Sequence, residues 1–360
     1  MSFQPIEVPI YLTATFLNPL PSGEASVSDR GFSLKYSREE NPTVRELEKV
    51  VANLDGFNDC LAFNSGMAAI STLFIANRKR KILINLDSYS ATLGLGVELR
   101  ELGFDVEFRK TEELASYVGK GGLVFTESIT NPLLRVPDLE SLSDICEDSD
   151  SLLVIDNTAA TPVLLKPSSF AKYSIQSVTK YLSGANDVFG GVLSGNDLSE
   201  LWEWRKKLGN IMDPIRAFLV IRSIPTLELR VRKHSENALA VARWLRDHGK
   251  VEEVIYPGLE THPDHSIAKK LLGNYFGGVV SFRVRGNPRK FLLNLEKIVK
   301  ATSFGAHRSL ASIPYESVLS NIQRELALRC GIDEDLIRLS VGLEDEKTII
   351  GDLERALESL

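Results

Sequence analysis

The chain has 360 residues, 43% hydrophobic and 25% charged, values ordinary for globular domains and long enough for more than one core. A formal net charge of −6 gives no electrostatic pull towards nucleic acid or an anionic membrane, so an anionic ligand would need a local site. No apolar run approaches the ~18 residues of a membrane span, the start Met1-Ser2-Phe3-Gln4-Pro5-Ile6-Glu7 lacks a basic-then-apolar leader, and Cys60, Cys146 and Cys330 have neither metal-type spacing nor an even count for a disulfide framework. The expectation is a cytoplasmic protein with no metal, nucleic-acid or membrane partner.

Residues 1–45 are rich in Pro, Ser and Gly and weakly periodic (Asn18-Pro19-Leu20-Pro21-Ser22-Gly23), which suits an arm lying on another surface. From 46 to 235, helical patterns alternate with short apolar runs. Thr43-Val44-Arg45-Glu46-Leu47-Glu48-Lys49-Val50 reads as a helix start capped by Thr43, with Glu46 three residues on. Lys81–Asn85, Asp105–Phe108, Gly122–Thr126 and Ser151–Asp156 read as strands, the first, third and fourth apolar enough to be buried on both faces. Strands alternating with helices predict a mostly parallel sheet in an α/β domain. Over 236–360 the pattern changes: after a helix around His234–His248 come strands at Val251–Tyr256 and Gly278–Val284 and helices at 289–300 and 346–358, a smaller α+β domain.

In open α/β sheets ligands gather at the carboxyl ends of strands, and polar residues fall there. Ser65-Gly66-Met67 follows Cys60-Leu61-Ala62-Phe63 and opens an Ala-rich helix, either a phosphate site or a plain N-cap by Ser65. Tyr89, after the next strand, could stack on a flat ring or lie half-buried at the surface. Asn131, in Glu127-Ser128-Ile129-Thr130-Asn131-Pro132, could bond a ring substituent or make an Asn-Pro turn. Asp156 closes the fourth strand, where a buried carboxylate needs a partner. Lys180 lies in Gln176-Ser177-Val178-Thr179-Lys180-Tyr181, with two hydroxyls just before it, a run that by itself also fits a solvated turn. A lysine able to form a Schiff base and an acid able to hold a protonated pyridine nitrogen are what a pyridoxal 5′-phosphate (PLP) enzyme needs.

Taken together these motifs resemble the Cys/Met-metabolism family of PLP-dependent enzymes, the cystathionine γ-synthase and γ-lyase group of fold type I. The resemblance runs from about Tyr36 to Asp345, through Tyr36-Ser37-Arg38, Ser65-Gly66-Met67-Ala68-Ala69, Glu127–Pro132, Asp156-Asn157-Thr158, Ser177–Tyr181, Asp187-Val188-Phe189-Gly190-Gly191, Tyr256-Pro257-Gly258-Leu259 and Arg338–Asp345. It implies PLP held covalently by Lys180, which also shuttles protons, with Asp156 on the pyridine nitrogen, Tyr89 stacked on the ring and Asn131 near the ring hydroxyl. It also implies a phosphate cup of Ser65, Gly66, Met67, Ser177 and Thr179, with Tyr36 and Arg38 reaching it from a neighbouring subunit. Arg338 would grip the substrate α-carboxylate, a task suited to a bidentate guanidinium, and Thr302 and Ser303 would lie on the same side. Small amino acids are the implied substrates, and a homotetramer of two active dimers the implied assembly.

The implied reaction is γ-replacement on an activated homoserine by L-cysteine to give L-cystathionine, ahead of γ-elimination from cystathionine and of O-acylhomoserine sulfhydrylation; a catalytically weak PLP-binding protein of the same fold is the reading from another class. Arg308, in Ser303-Phe304-Gly305-Ala306-His307-Arg308-Ser309-Leu310, stands where many relatives carry Glu. It would attract an anionic substrate tail, such as a succinyl or phospho ester of homoserine, or else point to solvent. His262-Pro263-Asp264-His265 reads as a structural loop.

Overall fold

The computed structural model describes residues 5–17 and 35–360. The stretches Met1–Gln4 and Asn18–Gly23 lie outside the described residues.

Seven strands form the larger sheet: β1 (Asp59–Phe63), β2 (Ile82–Asn85), β3 (Val106–Arg109), β4 (Leu123–Glu127), β5 (Leu152–Asp156), β6 (Tyr173–Ser177) and β7 (Gly191–Gly195), in the order β1-β7-β6-β5-β4-β2-β3. Neighbouring strands are parallel except β7, which runs against both β1 and β6. The predicted parallel sheet is there, and its central runs are apolar for the expected reason. Alternate residues feed two cores, Ile82, Ile84, Leu123, Phe125 and Val154 on one face and Leu83, Val124, Leu153 and Ile155 on the other.

The sequence patterns missed β6 and β7. Their inward positions include Ser174, Gln176 and Ser194, which are buried yet polar. Gln176 Nε2 and Ser194 Oγ each donate to Asp55 at 2.7 Å and so are satisfied inside the core, whereas Ser174 Oγ is buried without a hydrogen-bond partner; with polar residues at these places no apolar run marks the strands. Asp55 ends helix α1 (Pro42–Asp55), whose cap is Asn41 and not Thr43: Asn41 Oδ1 accepts from Thr43 N at 3.0 Å, and Pro42 takes the first helical position. Thr43 instead ties the arm down, its Oγ1 donating to Pro9 O (2.8 Å) and accepting from Tyr11 N (3.0 Å).

The second sheet has five strands, β8 (Val251–Ile255), β9 (Val279–Val284), β10 (Val299–Lys300), β11 (Leu310–Ser312) and β12 (Ile337–Ser340), ordered β10-β11-β12-β9-β8. The helix predicted over 289–300 is cut to Pro288–Leu293. Beyond it the Asp352 carboxylate accepts the N–H groups of Glu296, Lys297 and Ile298 at 2.8–3.0 Å, so these donors are unavailable to a continuing helix. Helix Glu346–Glu358 forms where predicted. The long helix Leu227–Asp247 joins the two sheets, with Asn237 Nδ2 bonding Gly342 O and Glu344 O at 3.0 and 2.8 Å. No helix among the described residues is long and apolar enough to cross a membrane.

Candidate active site

The carboxyl ends of β1, β2, β4, β5 and β6 open into a cavity of about 500 Å³, closed on its other side by residues of the second sheet. Ser65, Gly66, Met67, Tyr89, Asn131, Asp156, Ser177, Thr179, Lys180, Thr302, Ser303 and Arg338 all line it. Three of the sequence candidates do not. Tyr36 and Arg38 are exposed, the guanidinium lying 5.5 Å from the Tyr36 ring and donating to Lys206 O at 2.9 Å. Arg308 is exposed and outside the cavity as well. The chain on either side of it is pinned: His307 N donates to Gly184 O (3.2 Å) and Ser309 N to Glu344 Oε1 (2.7 Å), which turns Arg308 to solvent.

Helix α2 (Gly66–Ala76) starts at the cavity wall. Ser65 Oγ accepts from Ala68 N at 3.0 Å, so the cap reading holds. The N–H groups of Gly66 and Met67 are then left without helical partners, and both residues line the cavity, a ready anion cradle. Close packing keeps it small. A Cβ on Gly191 would come within 2.4 Å of Ser65 O and 2.6 Å of the Gly66 backbone, and one on Gly66 within 3.3 Å of Ser177 Cβ. Ser177 is itself fixed, its N–H donating to Thr158 Oγ1 at 2.8 Å, and Thr179 Oγ1 accepts from Gly190 N at 3.2 Å.

Two carboxyl groups end adjacent strands in register, Glu127 opposite Asp156. Burial pushes both above the usual carboxylate range, and Asp156 raises Glu127 further. Thr158 opposes the rise at Asp156 by donating its N–H (3.0 Å) and hydroxyl to Oδ1. No lysine or arginine of the described residues offsets either carboxyl, so the pair is suited to a cationic ring nitrogen. The sequence motif gives Glu127 no role of its own; the signal is its register with Asp156 across the two strands. It accepts the N–H of Tyr89 at 2.6 Å and that of Asn131, and so holds the loops after β2 and β4 with one side chain.

Lys180 Nζ donates to Ser303 Oγ at 2.9 Å. Burial first and the Arg338 charge second lower its pKa to about 8, within reach of a neutral amine. Ser303 has φ +90°, a strained setting for a side-chain-bearing residue that aims its hydroxyl at the lysine while its carbonyl accepts from Arg338 Nη2 at 3.3 Å. Arg338 on β12 also donates to Asn131 Oδ1 at 3.1 Å, and burial lowers its pKa to about 10. Its Nε is buried without a partner, an open donor of the kind a carboxylate would satisfy. The amide cradle, the paired acids and this orphaned donor fit a phosphorylated, ring-nitrogen cofactor and an amino-acid carboxylate. The loop His262–His265 is structural, with Asp264 clasping Arg135 at 2.7 and 3.1 Å. The three cysteines are buried, with no disulfide between them.

Residues 2–358 match the family model for Cys/Met metabolism PLP-dependent enzymes. The chain is 37% identical to cystathionine gamma-lyase of Mus musculus, over 98% of its own length and 90% of that protein's. It is 35% identical to the enzyme of the same name from Bacillus subtilis, over 99% and 95%. A solved structure of cystathionine gamma synthase from Xanthomonas oryzae pv. oryzae, in complex with aminoacrylate and cysteine, superposes with a TM-score of 0.92 at 31% identity, over 98% of this chain and 93% of that one. With fold, cradle and acid pair agreeing, the chain belongs to the Cys/Met metabolism family of fold type I, as a carbon–sulfur lyase or transferase of cystathionine γ-lyase/synthase type whose cofactor is PLP.

Proposed function

We propose that the protein catalyses γ-replacement on an activated homoserine, with L-cysteine as the incoming thiol and L-cystathionine as product. The observation that carries the reading is the meeting of Lys180, Asp156, Tyr89 and Arg338 around one cavity that stays open at the exposed residues Ser320 and Asn321, where a second substrate can enter once the first leaving group has gone. When bound, PLP supplies an electron sink for carbanion chemistry next to the amino group of the substrate. In this reading Lys180 carries the cofactor and moves protons at Cα and Cβ. Asp156 holds the pyridine N–H, Tyr89 covers the ring, and Asn131 meets its hydroxyl. Ser65, Gly66, Met67, Ser177 and Thr179 hold the phosphate, and Arg338 and Ser303 fix the α-carboxylate. Tyr36 and Arg38 serve the site of a neighbouring subunit in a cytoplasmic homotetramer.

Product analysis tests the reading. An activated homoserine plus L-cysteine should give cystathionine. Release of 2-oxobutanoate and ammonia alone, from that mixture and from L-cystathionine, would establish γ-elimination instead, the second reading, which the names of the mouse and Bacillus relatives favour.

A further inference from the structure

We propose that the rim Ser317–Asn321 selects the group leaving Cγ, and that it favours a short uncharged acyl ester over one with an anionic tail. This rests on the reading of the reaction as chemistry at Cγ. Ser317, Ser320 and Asn321 line the same cavity as Lys180 but lie on and just after helix Pro314–Val318, away from the strand ends. The segment is seated on helix α3 (Ser90–Glu101). Asn321 Nδ2 donates to Ser90 Oγ at 3.0 Å, and a Cβ on Gly94 would come within 2.5 Å of Asn321 O, so a side chain there would displace the rim. Rim and Tyr89 turn are thereby held as one unit.

The rim offers acceptors more than donors. Ser317 Oγ donates to Pro314 O at 2.9 Å and Ser320 Oγ to Ser317 O at 2.7 Å, so both hydroxyl hydrogens are spent on backbone and lone pairs remain. Among the described residues lining the cavity the cations are Lys180 and Arg338, both engaged at Ser303 and Asn131. A carboxylate or phosphate tail at the rim would meet oxygen lone pairs with no free cation among the described lining residues to answer it, whereas an acetyl-type ester brings no charge. Arg308, the cation that could have answered an anionic tail, lies outside the cavity. In the replacement the Cγ–O bond breaks and its electron pair leaves on the carboxylate. The thiol gives up its proton and forms the Cγ–S bond, so ester plus thiol yields thioether plus carboxylic acid, with no oxidant or reductant required.

The test compares kcat/KM for O-acetyl-, O-succinyl- and O-phosphohomoserine, following cystathionine with L-cysteine present and 2-oxobutanoate without it. The acetyl ester should lead by about tenfold or more. Asn321→Lys should raise both anionic esters relative to it by a similar factor, and Arg308→Glu should leave the ranking unchanged. Calorimetric binding of the three esters to Lys180→Ala should follow the same order without turnover. A preference for the succinyl or phospho ester, a ranking unmoved by Asn321→Lys or altered by Arg308→Glu, or three inert esters with cystathionine still cleaved would each overturn the proposal. Formation of 2-oxobutanoate only, with the acetyl ester still leading, would overturn the replacement reading and sustain this one.

Discussion

At Lys180 the balance of burial and like charge can be measured. Its lowered pKa of about 8 means that the amine is neutral at lower pH than a free lysine. The neutral amine is the nucleophile. Attachment of added PLP to cofactor-free protein should therefore speed up with rising pH and level off above about 8. In Arg338→Gln the repulsion is gone and the profile should move to higher pH; stopped-flow absorbance that showed no movement would assign the shift to burial alone. Glu127 separates position from charge. Glu127→Gln keeps an oxygen for the N–H groups of Tyr89 and Asn131, whereas Glu127→Ala keeps nothing. The alanine variant should lose cofactor affinity by about tenfold or more, as for other side chains that orient a binding group, and the glutamine variant much less, read by equilibrium dialysis. Lys180 and Asp156 stood out in the sequence because their residue types are tied to one chemistry. Glu127 did not, since its role comes from a strand register that no single motif displays.

The elements meet at contacts a methyl group would disturb. Gly191→Ala would drive a Cβ into the Ser65 and Gly66 backbone at the start of α2, so PLP should bind more weakly while far-ultraviolet circular dichroism stays unchanged. Below the same strands, Asp55 is fully buried against β6 and β7, and its pKa is raised to about 7, chiefly by loss of water. A carboxyl with a raised folded-state pKa stabilises the fold fully below the unfolded value near 3.8 and loses that contribution as pH climbs through about 7. Cofactor-free protein should accordingly lose on the order of 4 kcal/mol across that window. Asp55→Asn should flatten the dependence, as urea midpoints at several pH values would show. This polar patch is also why β6 and β7 escaped sequence reading: strand patterns register apolar residues, and here Asp55 lets Gln176 and Ser194 take their places. The shortened helix at Pro288–Leu293 has a similar origin, because Asp352, far along the chain, takes the N–H groups that local propensity assigned to a longer helix.

Across the whole molecule, the order of motifs along the chain was enough to reveal the family, and Ser65–Met67, Tyr89, Asn131, Asp156 and Lys180 each follow or close a strand whose carboxyl end faces one cavity. Specificity was not legible in the same way. Arg308 departs from the family pattern at a position where many relatives carry Glu, yet its neighbours' bonds to Gly184 and Glu344 turn it outwards. The arm leaves Leu12 at 67% and Leu17 at 97% exposure, apolar surface in keeping with the proposed assembly. Arg38→Ala should weaken PLP retention without altering the unfolding midpoint; retention as tight as wild type would count against a shared site. Lys180 extends from the larger sheet and Arg338 from the smaller, and the charge of one acts on the proton of the other. That arrangement has a thermodynamic corollary. A substrate carboxylate seated on Arg338 cancels the repulsion felt by the lysine amine, which becomes the stronger proton acceptor just when substrate is held. By reciprocity a protonated Lys180 must tighten carboxylate binding by the same factor. On this proposal the grip on the substrate and the strength of the base are one coupled equilibrium, and the gap between the two layers is its mechanical setting.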